Sequence, residues 1–362
     1  MNNDKFFYAD ALFAASNSAE GFKSYYDRVF DRSRLEHLYI IKGGPGTGKS
    51  SFMRDVGEYF EGLGRRVAYY KCSSDPDSLD GVIIDCGVAL IDGTAPHSAE
   101  PEIAGARDDI IELGAFWDSS MLVEKYDEIY ALWRAKNESY DRAYRYLSAC
   151  GEILRIEKER VANALKYDKM RACILRILDR VGYGNGFSIT PALIDSVGMK
   201  GRVRSDSYER SAELVYEVSD SFSSGAFFLL NVIEMAKRYA QRLYVSYDPI
   251  IPEYPNAIFF FDSKIAFVLK DRARGVTELS QKVKRINMER FLDIDLLDMQ
   301  KAVYKQNKAL GTELSELACD AFEEVAKHHF ALEAIYRKSM DFPAKERFTL
   351  SFCERLKDTY CK

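Results

Sequence analysis

The chain has 362 residues, more than one hydrophobic core usually organises, so two domains are the first expectation. Hydrophobic residues make up 47% and charged residues 30%, a globular composition without the Pro, Gly or Ser tracts of a disordered chain. A net charge of −5 argues against nucleic acid as a general partner, although a local basic patch is compatible with it. The most apolar windows, residues 226–236 and 257–269, are interrupted by Asn231, Glu234, Asp262 and Lys264 and do not span a bilayer. The start, with Asp4 and Asp10 around a short apolar run, is a poor signal peptide. Cys72, Cys86, Cys150, Cys173, Cys319, Cys353 and Cys361 form no Cys-x-x-Cys pair, which predicts reduced thiols and a cytoplasmic protein.

In chain order, the aromatic-rich piece from Gly21 to Tyr26 predicts a lead-in helix or turn. Residues 39–42 read as the first strand. Residues 49–63 read as a helix, with Phe52, Val56, Tyr59 and Phe60 at helical spacing and Gly62 and Gly64 at its end. Between them Gly43, Gly44, Pro45, Gly46, Thr47, Gly48, Lys49 and Ser50, followed by Ser51, fit a phosphate-binding loop. The residue types suit that chemistry. Glycines let backbone N–H groups approach a triphosphate, and the helix start aims its dipole at the same anion. Lys49 adds a charge near the β- and γ-phosphates, and Ser50 is placed to ligate Mg²⁺.

Residues 66–71 predict a second strand, and Cys72 to Ser78 a polar loop on its C-terminal edge, where ligands sit in open α/β sheets. Val88 to Asp92 predicts a continuously apolar third strand ending in a carboxylate, so Asp92 is the second Mg²⁺ anchor. Gly93, not a glutamate, follows it, so the group that activates water must come from elsewhere. His97 is one candidate, as an orienter of water or sensor of the γ-phosphate, or else as a loop histidine bonded for structure. Asp75 and Asp77 either accept a proton from a substrate hydroxyl or, as their turn-like sequence favours, cap the loop. Cys72 has no evident His partner and reads as a strand-end core residue.

From Ser119 to about Val181 the apolar spacing is helical. A single helix of that length would extend about 90 Å, so a hairpin turning near Cys150-Gly151 is expected. Tyr126, Tyr130, Trp133, Tyr140, Tyr144 and Tyr146 form an aromatic stripe that reads as hairpin core more readily than as a base-stacking surface.

The second half matches the first at an offset of 177. Tyr39 corresponds to Tyr216, Ile41 to Val218, Gly48 to Gly225, Val56 to Ile233, Asp85 to Asp262 and Ala89 to Ala266. A four-residue slip also sets Asp75-Pro76 beside Asp248-Pro249. A second helical stretch runs from Glu278 to about Met340, with a turn at Gly311. The predicted architecture is therefore a duplicated α/β protein of the P-loop NTPase class, each half a mainly parallel sheet flanked by helices and carrying a long helical hairpin. Residues 1–181 form the active half, with its hairpin at about 119–181; residues 182–362 form a degenerate half, with its hairpin at about 278–340. In the second half Ala226 replaces Lys49, Phe227 replaces Ser50 and Leu269 replaces Asp92, while Asp220, Ser221 and Ser223 replace loop glycines. No cation remains there to hold phosphate. Arg272 and Arg274 read as a solvated loop, with an arginine finger as the alternative. The adjacent pair His328-His329 faces two ways on a helix and does not share a metal.

With these words in view, the chain resembles a family of bacterial P-loop ATPases built from tandem halves. Gly43 to Ser51, Lys71 to Gly81 and Leu90 to His97 carry the likeness, which also touches Glu20 to Asp27 and Ile110 to Asp118. In such proteins the second half commonly keeps its own glycine-rich loop, and here it does not. The resemblance implies ATP and Mg²⁺ as ligands and hydrolysis of the β–γ phosphoanhydride at one competent site, with an unidentified protein or small molecule as partner. The catalytic candidates are Lys49, Asp92 and His97, and the metal ligands Ser50 and Asp92. A kinase acting on a small molecule and a non-hydrolysing nucleotide switch are the alternatives. No Leu-Ser-Gly-Gly-Gln signature is present, and Asn307-Lys308 continues to Ala309, which removes the transporter-type and guanine-reading classes.

Overall fold

A computed structural model describes residues 6–270 and 282–361. Twelve strands form two six-stranded sheets. The first contains β1 (Leu12–Phe13), β2 (His37–Lys42), β3 (Val67–Lys71), β4 (Leu79–Ile84), β5 (Val88–Asp92) and β6 (Asp108–Glu112). The second contains β7 (Ser188–Pro191), β8 (Leu214–Val218), β9 (Arg242–Tyr247), β10 (Pro255–Phe260), β11 (Ile265–Leu269) and β12 (Lys282–Ile286). Six long helices accompany them: α1 (Lys49–Gly62), α2 (Tyr126–Ala162), α3 (Tyr167–Val181), α4 (Gly225–Ala236), α5 (Lys301–Ser339) and α6 (Phe342–Tyr360).

The two sheets have one topology. Strand order is β1-β3-β4-β5-β2-β6 in the first and β7-β9-β10-β11-β8-β12 in the second. All neighbours are parallel except those of β4 and β10, which run against both of theirs. The register repeats as well: Tyr39 lies opposite Leu90, and Tyr216 opposite Phe267, both shifted by 177. Asp85 accepts from the Arg66 backbone N–H at the end of β4, as Asp262 does from that of Arg242 at the end of β10. The chain is thus a duplicated α/β protein with mostly parallel sheets. The loops 72–78 and 248–254 have equal length, so Asp248 stands opposite Cys72 and the four-residue slip that matched it to Asp75 falls away.

Alternation along the strands decides what each face covers. Leu38, Ile40, Ala89 and Ile91 face the second sheet and meet Val215, Ala266 and Val268 from it, so the sheets pack face to face. Tyr39, Ile41, Val88 and Leu90 point the other way, toward α1. Only one face of each sheet is therefore covered by long helices. The residues on both sides are apolar, which is why the strands read as continuously hydrophobic.

The helical segments depart most from expectation. α2 runs unbroken through Cys150-Gly151, and α5 through Gly311, so neither is a hairpin. Gly151 is there for contact rather than a turn, since a Cβ on it would lie 2.3 Å from Ala19 Cβ. A helix of 37 residues, about 55 Å long, is held because it lies antiparallel against α5 of the other half. Glu157 accepts from Asn307 Nδ2 at 2.8 Å, the Cys150 thiol reaches the Gly311 carbonyl at 3.3 Å, and Arg142 pairs with Glu324. Tyr140 and Tyr144 pack on Phe322 in this seam, but Tyr126, Tyr130 and Trp133 stack in series on the exposed end of α2, so the aromatic stripe is core over only part of its length. Residues 282–286, expected as helix, form strand β12, while Glu278 and the pair Arg272 and Arg274 lie outside the described residues.

The short helices are exchanged between halves. α3 buries Met170, Ile174 and Leu178 against Phe228, Leu229 and Val232 of α4. α6 buries Phe352, Cys353 and Leu356 against Phe52, Met53 and Val56 of α1. Reciprocal backbone bonds fix the exchange: Asp118 N–H to Ser339 O and Asp341 N–H to Phe116 O on one side, Lys166 N–H to Phe291 O and Asp293 N–H to Ala164 O on the other. Each half, as divided at residue 181, therefore completes the other's core. A disulfide between Cys86 and Cys361 ties the end of α6 to the first half, which corrects the expectation that all seven thiols are reduced. Among the described residues no helix is long and apolar enough to cross a membrane.

Candidate functional site

The glycine loop connects the C-terminal end of β2 to α1, on the sheet edge where β5 also ends. Gly46 and Gly48 have φ of +72° and +81°, a region that L side chains resist, and Gly46 also has no room for a Cβ. Such an atom would lie 2.6 Å from the Glu333 carbonyl oxygen. Thr47 is buried and turns its hydroxyl back to the Gly44 carbonyl at 2.8 Å, which closes the loop on itself.

Lys49 starts α1, and its Nζ lies 3.0 and 3.1 Å from the Gly43 and Gly44 carbonyls and 3.6 Å from Asp92 Oδ2. Parallel pairing of β2 with β5 is what brings the Lys and Asp together. Asp92 Oδ1 is used by the Thr94 N–H and hydroxyl, at 2.9 and 2.6 Å, which leaves Oδ2 facing Lys49. Ser50 Oγ accepts from Leu79 N–H at 2.9 Å and keeps a second lone pair. Ser51 takes a hydrogen bond from Lys345 Nζ at 2.7 Å. Pro45 and these loop residues line one cavity of about 840 Å³, which also holds Asp92 and His97. That is within the usual range for small-molecule sites.

His97 is 8% exposed and stacks flat on Tyr26, with ring centroids 4.4 Å apart, while Phe22 meets its edge. Its Nε2 is 3.0 Å from Asp80 Oδ2. Burial alone would lower the pKa of the ring, but the negative charge of Asp80, with Asp92 beyond it, overrides this and raises it. Cys72 joins the same cluster, so it does have a His neighbour; burial nonetheless pushes its thiol pKa well up, the reverse of an activated nucleophile.

Asp75 spends its oxygens on the turn, accepting from Asp77 N–H at 3.3 Å and Ser78 Oγ at 2.7 Å. Asp77 is exposed and pairs with Lys200. The capping role anticipated for this loop is therefore its geometry. His329 is 3.6 Å from Glu333 on α5, one turn away, and His328 takes no part in the cavity wall.

Several site residues escape sequence reading because they arrive from distant elements. Asp80 sits in β4, an antiparallel return strand too short to show a period, and its only signal is its place in the motif from Lys71 to Gly81. Lys136 and Tyr140 come from α2, while Glu333 and Arg337 come from α5 of the other half. Lys136 is close enough to Lys49 that burial and that second cation together lower its pKa. The neighbouring His329, with Arg337 farther off, holds the Glu333 carboxyl below its ordinary pKa despite burial. Glu333 thus brings a carboxylate into the wall of the cavity that the loop lines. Lys345, from α6, is only 4% exposed, and burial pushes its pKa down.

The corresponding place in the second half is filled from within. Asp220 Oδ1 accepts the Gly225 N–H at the start of α4 at 2.7 Å, and a Cβ on Gly225 would lie 2.6 Å from a Leu269 methyl. Lys158 of α2 donates to the Ser223 carbonyl at 2.7 Å, covering this loop from the first half as α5 covers the other. No family model, characterised protein or solved structure significantly matches the chain.

Proposed function

We propose that this is an Mg²⁺-dependent ATP-binding protein of the P-loop class that hydrolyses ATP at one competent site and uses its degenerate second half as a responder. The observation that carries the reading is the convergence of Lys49, with Lys136 on the same cavity wall, and Asp92 under a glycine loop with two left-handed positions. Two cations that oppose each other in the free protein favour a polyanionic ligand. In this reading Lys49 and the loop amides hold the β- and γ-phosphates, while Ser50 and Asp92 Oδ2 hold Mg²⁺. His97, 3.0 Å from Asp80 on the same cavity wall, is the candidate for orienting an attacking water.

The loop that a kinase would need for its acceptor offers little support for that alternative, since Asp75 is engaged and Asp77 points to solvent. A switch without turnover is favoured by one contact: α5 of the second half sits on Gly46, so a nucleotide held by the loop would bear directly on the other half. The deciding experiment measures ATP binding and phosphate release by the purified chain with Mg²⁺, with Lys49→Ala as control. Release that the substitution abolishes is the expected result. Binding without release favours the switch, and failure to bind any nucleotide defeats both.

A further inference from the structure

Three neighbouring strands place unlike donor atoms together on the edge that carries the glycine loop. Cys72 follows β3, Asp80 begins β4 and His97 lies in the loop after β5. One sulfur, one carboxylate oxygen and one imidazole nitrogen lie within 4.8 Å of one another. Asp80 is 2% exposed, a costly place for a carboxylate without a full set of partners. Its Oδ2 is 3.0 Å from His97 Nε2, yet that oxygen accepts no hydrogen bond, and neither does His97 Nδ1 engage a partner. Side chains that are this close without being aligned on each other point at a common space rather than at one another. Donors around a tetrahedral cation, at bond lengths of about 2.0 to 2.3 Å, are spaced roughly 3.3 to 3.6 Å apart.

We propose that Cys72, Asp80 and His97 bind a zinc-class divalent cation, with a fourth position open toward the nucleotide cavity. Mixed sulfur, nitrogen and oxygen donors select such a borderline-soft ion over Mg²⁺, whose ligands here would be all oxygen. On binding, the Cys72 thiol loses its proton to water as the sulfur–metal bond forms, and His97 binds through a neutral ring nitrogen. A dication with one thiolate and one carboxylate makes the buried cluster neutral. All three residues line the cavity beside Lys49, so an exchangeable water on the metal would face it. The second half lacks the set, since Asp248 and Asn256 stand at the positions of Cys72 and Asp80, and both are engaged locally, Asp248 with the Ile250 N–H and Asn256 with Asp195.

The site is tested without nucleotide, and so independently of the proposed ATPase activity. Chelator-treated full-length protein is titrated anaerobically with Co²⁺ and followed by absorption spectroscopy. The expected result is one equivalent bound with sulfur-to-cobalt charge-transfer absorption, lost in Cys72→Ser and retained in Cys319→Ser. Asp80→Asn and His97→Ala should each weaken binding by at least about tenfold. Cobalt bound without a sulfur band in the unaltered protein overturns the proposal. So does a band that survives Cys72→Ser, or no stoichiometric uptake at all. Because the first of these readings needs no variant, misfolding of a mutant cannot rescue the idea.

Discussion

The two glycine-loop regions share a strand, a helix start and a register, yet they solve opposite problems. In the first half the loop is built around left-handed glycines, and its lysine rests on loop carbonyls near Asp92. In the second, Asp220 caps its own helix and Leu269 fills the space beside Gly225. The same backbone architecture can thus carry a left-handed glycine loop beside a cavity or a loop closed on its own side chains. A few side chains decide which, because a single carboxylate on the helix N-terminus satisfies the amides that a phosphate would otherwise use. The second half is nonetheless structurally needed by the first: its α5 and α6 cover the loop and the core of that half.

The sharpest break in this comparison is expected at Lys49. Lys49→Ala should lower ATP turnover by about a thousandfold or more, near 4 kcal/mol of transition-state stabilisation, in a phosphate-release assay. Ala226→Lys at the matching position should create no second site, because Asp220 remains; two nucleotides bound per chain by calorimetry would contradict the one-site view. Next in size are the exchanged helices. Phe352→Ala should cost about 3 to 5 kcal/mol and Ile174→Ala about 2 to 5 kcal/mol, each by opening a cavity against the other half's helix. Urea denaturation should show both variants lowering one shared transition, whereas two separate transitions would mean that the halves fold independently.

Smaller effects probe the loops themselves. Asp220→Ala removes the internal cap of α4 and should destabilise the protein by about 0.5 to 2 kcal/mol in the same denaturation experiment, with no gain of nucleotide binding. Glu333→Gln removes a negative charge from the cavity wall that the loop lines and should tighten ATP binding severalfold, about 1 kcal/mol by calorimetry. Unchanged or weaker binding would show that Glu333 supports the nucleotide rather than opposing it.

What the sequence determined by itself was local or repetitive. Gly43 to Ser50 is legible because its chemistry lies in eight consecutive residues between a strand and a helix. Asp92 is legible because a buried parallel strand that ends in a carboxylate stands out from its apolar run. The duplication is legible because the order and spacing of core residues recur, and sheet order and register agree with it. The tertiary structure alone decided the rest. Gly151 looks like a turn in sequence, and only the proximity of Ala19 and the seam with α5 make it the middle of a long helix. Asp80, Lys136, Glu333 and Lys345 join the site through an antiparallel strand and through helices from both halves, across separations that carry no periodic signal. The physical reason is the same in each case: local propensity sees the chain's neighbours in sequence, whereas burial, close approach and converging charge belong to neighbours in space.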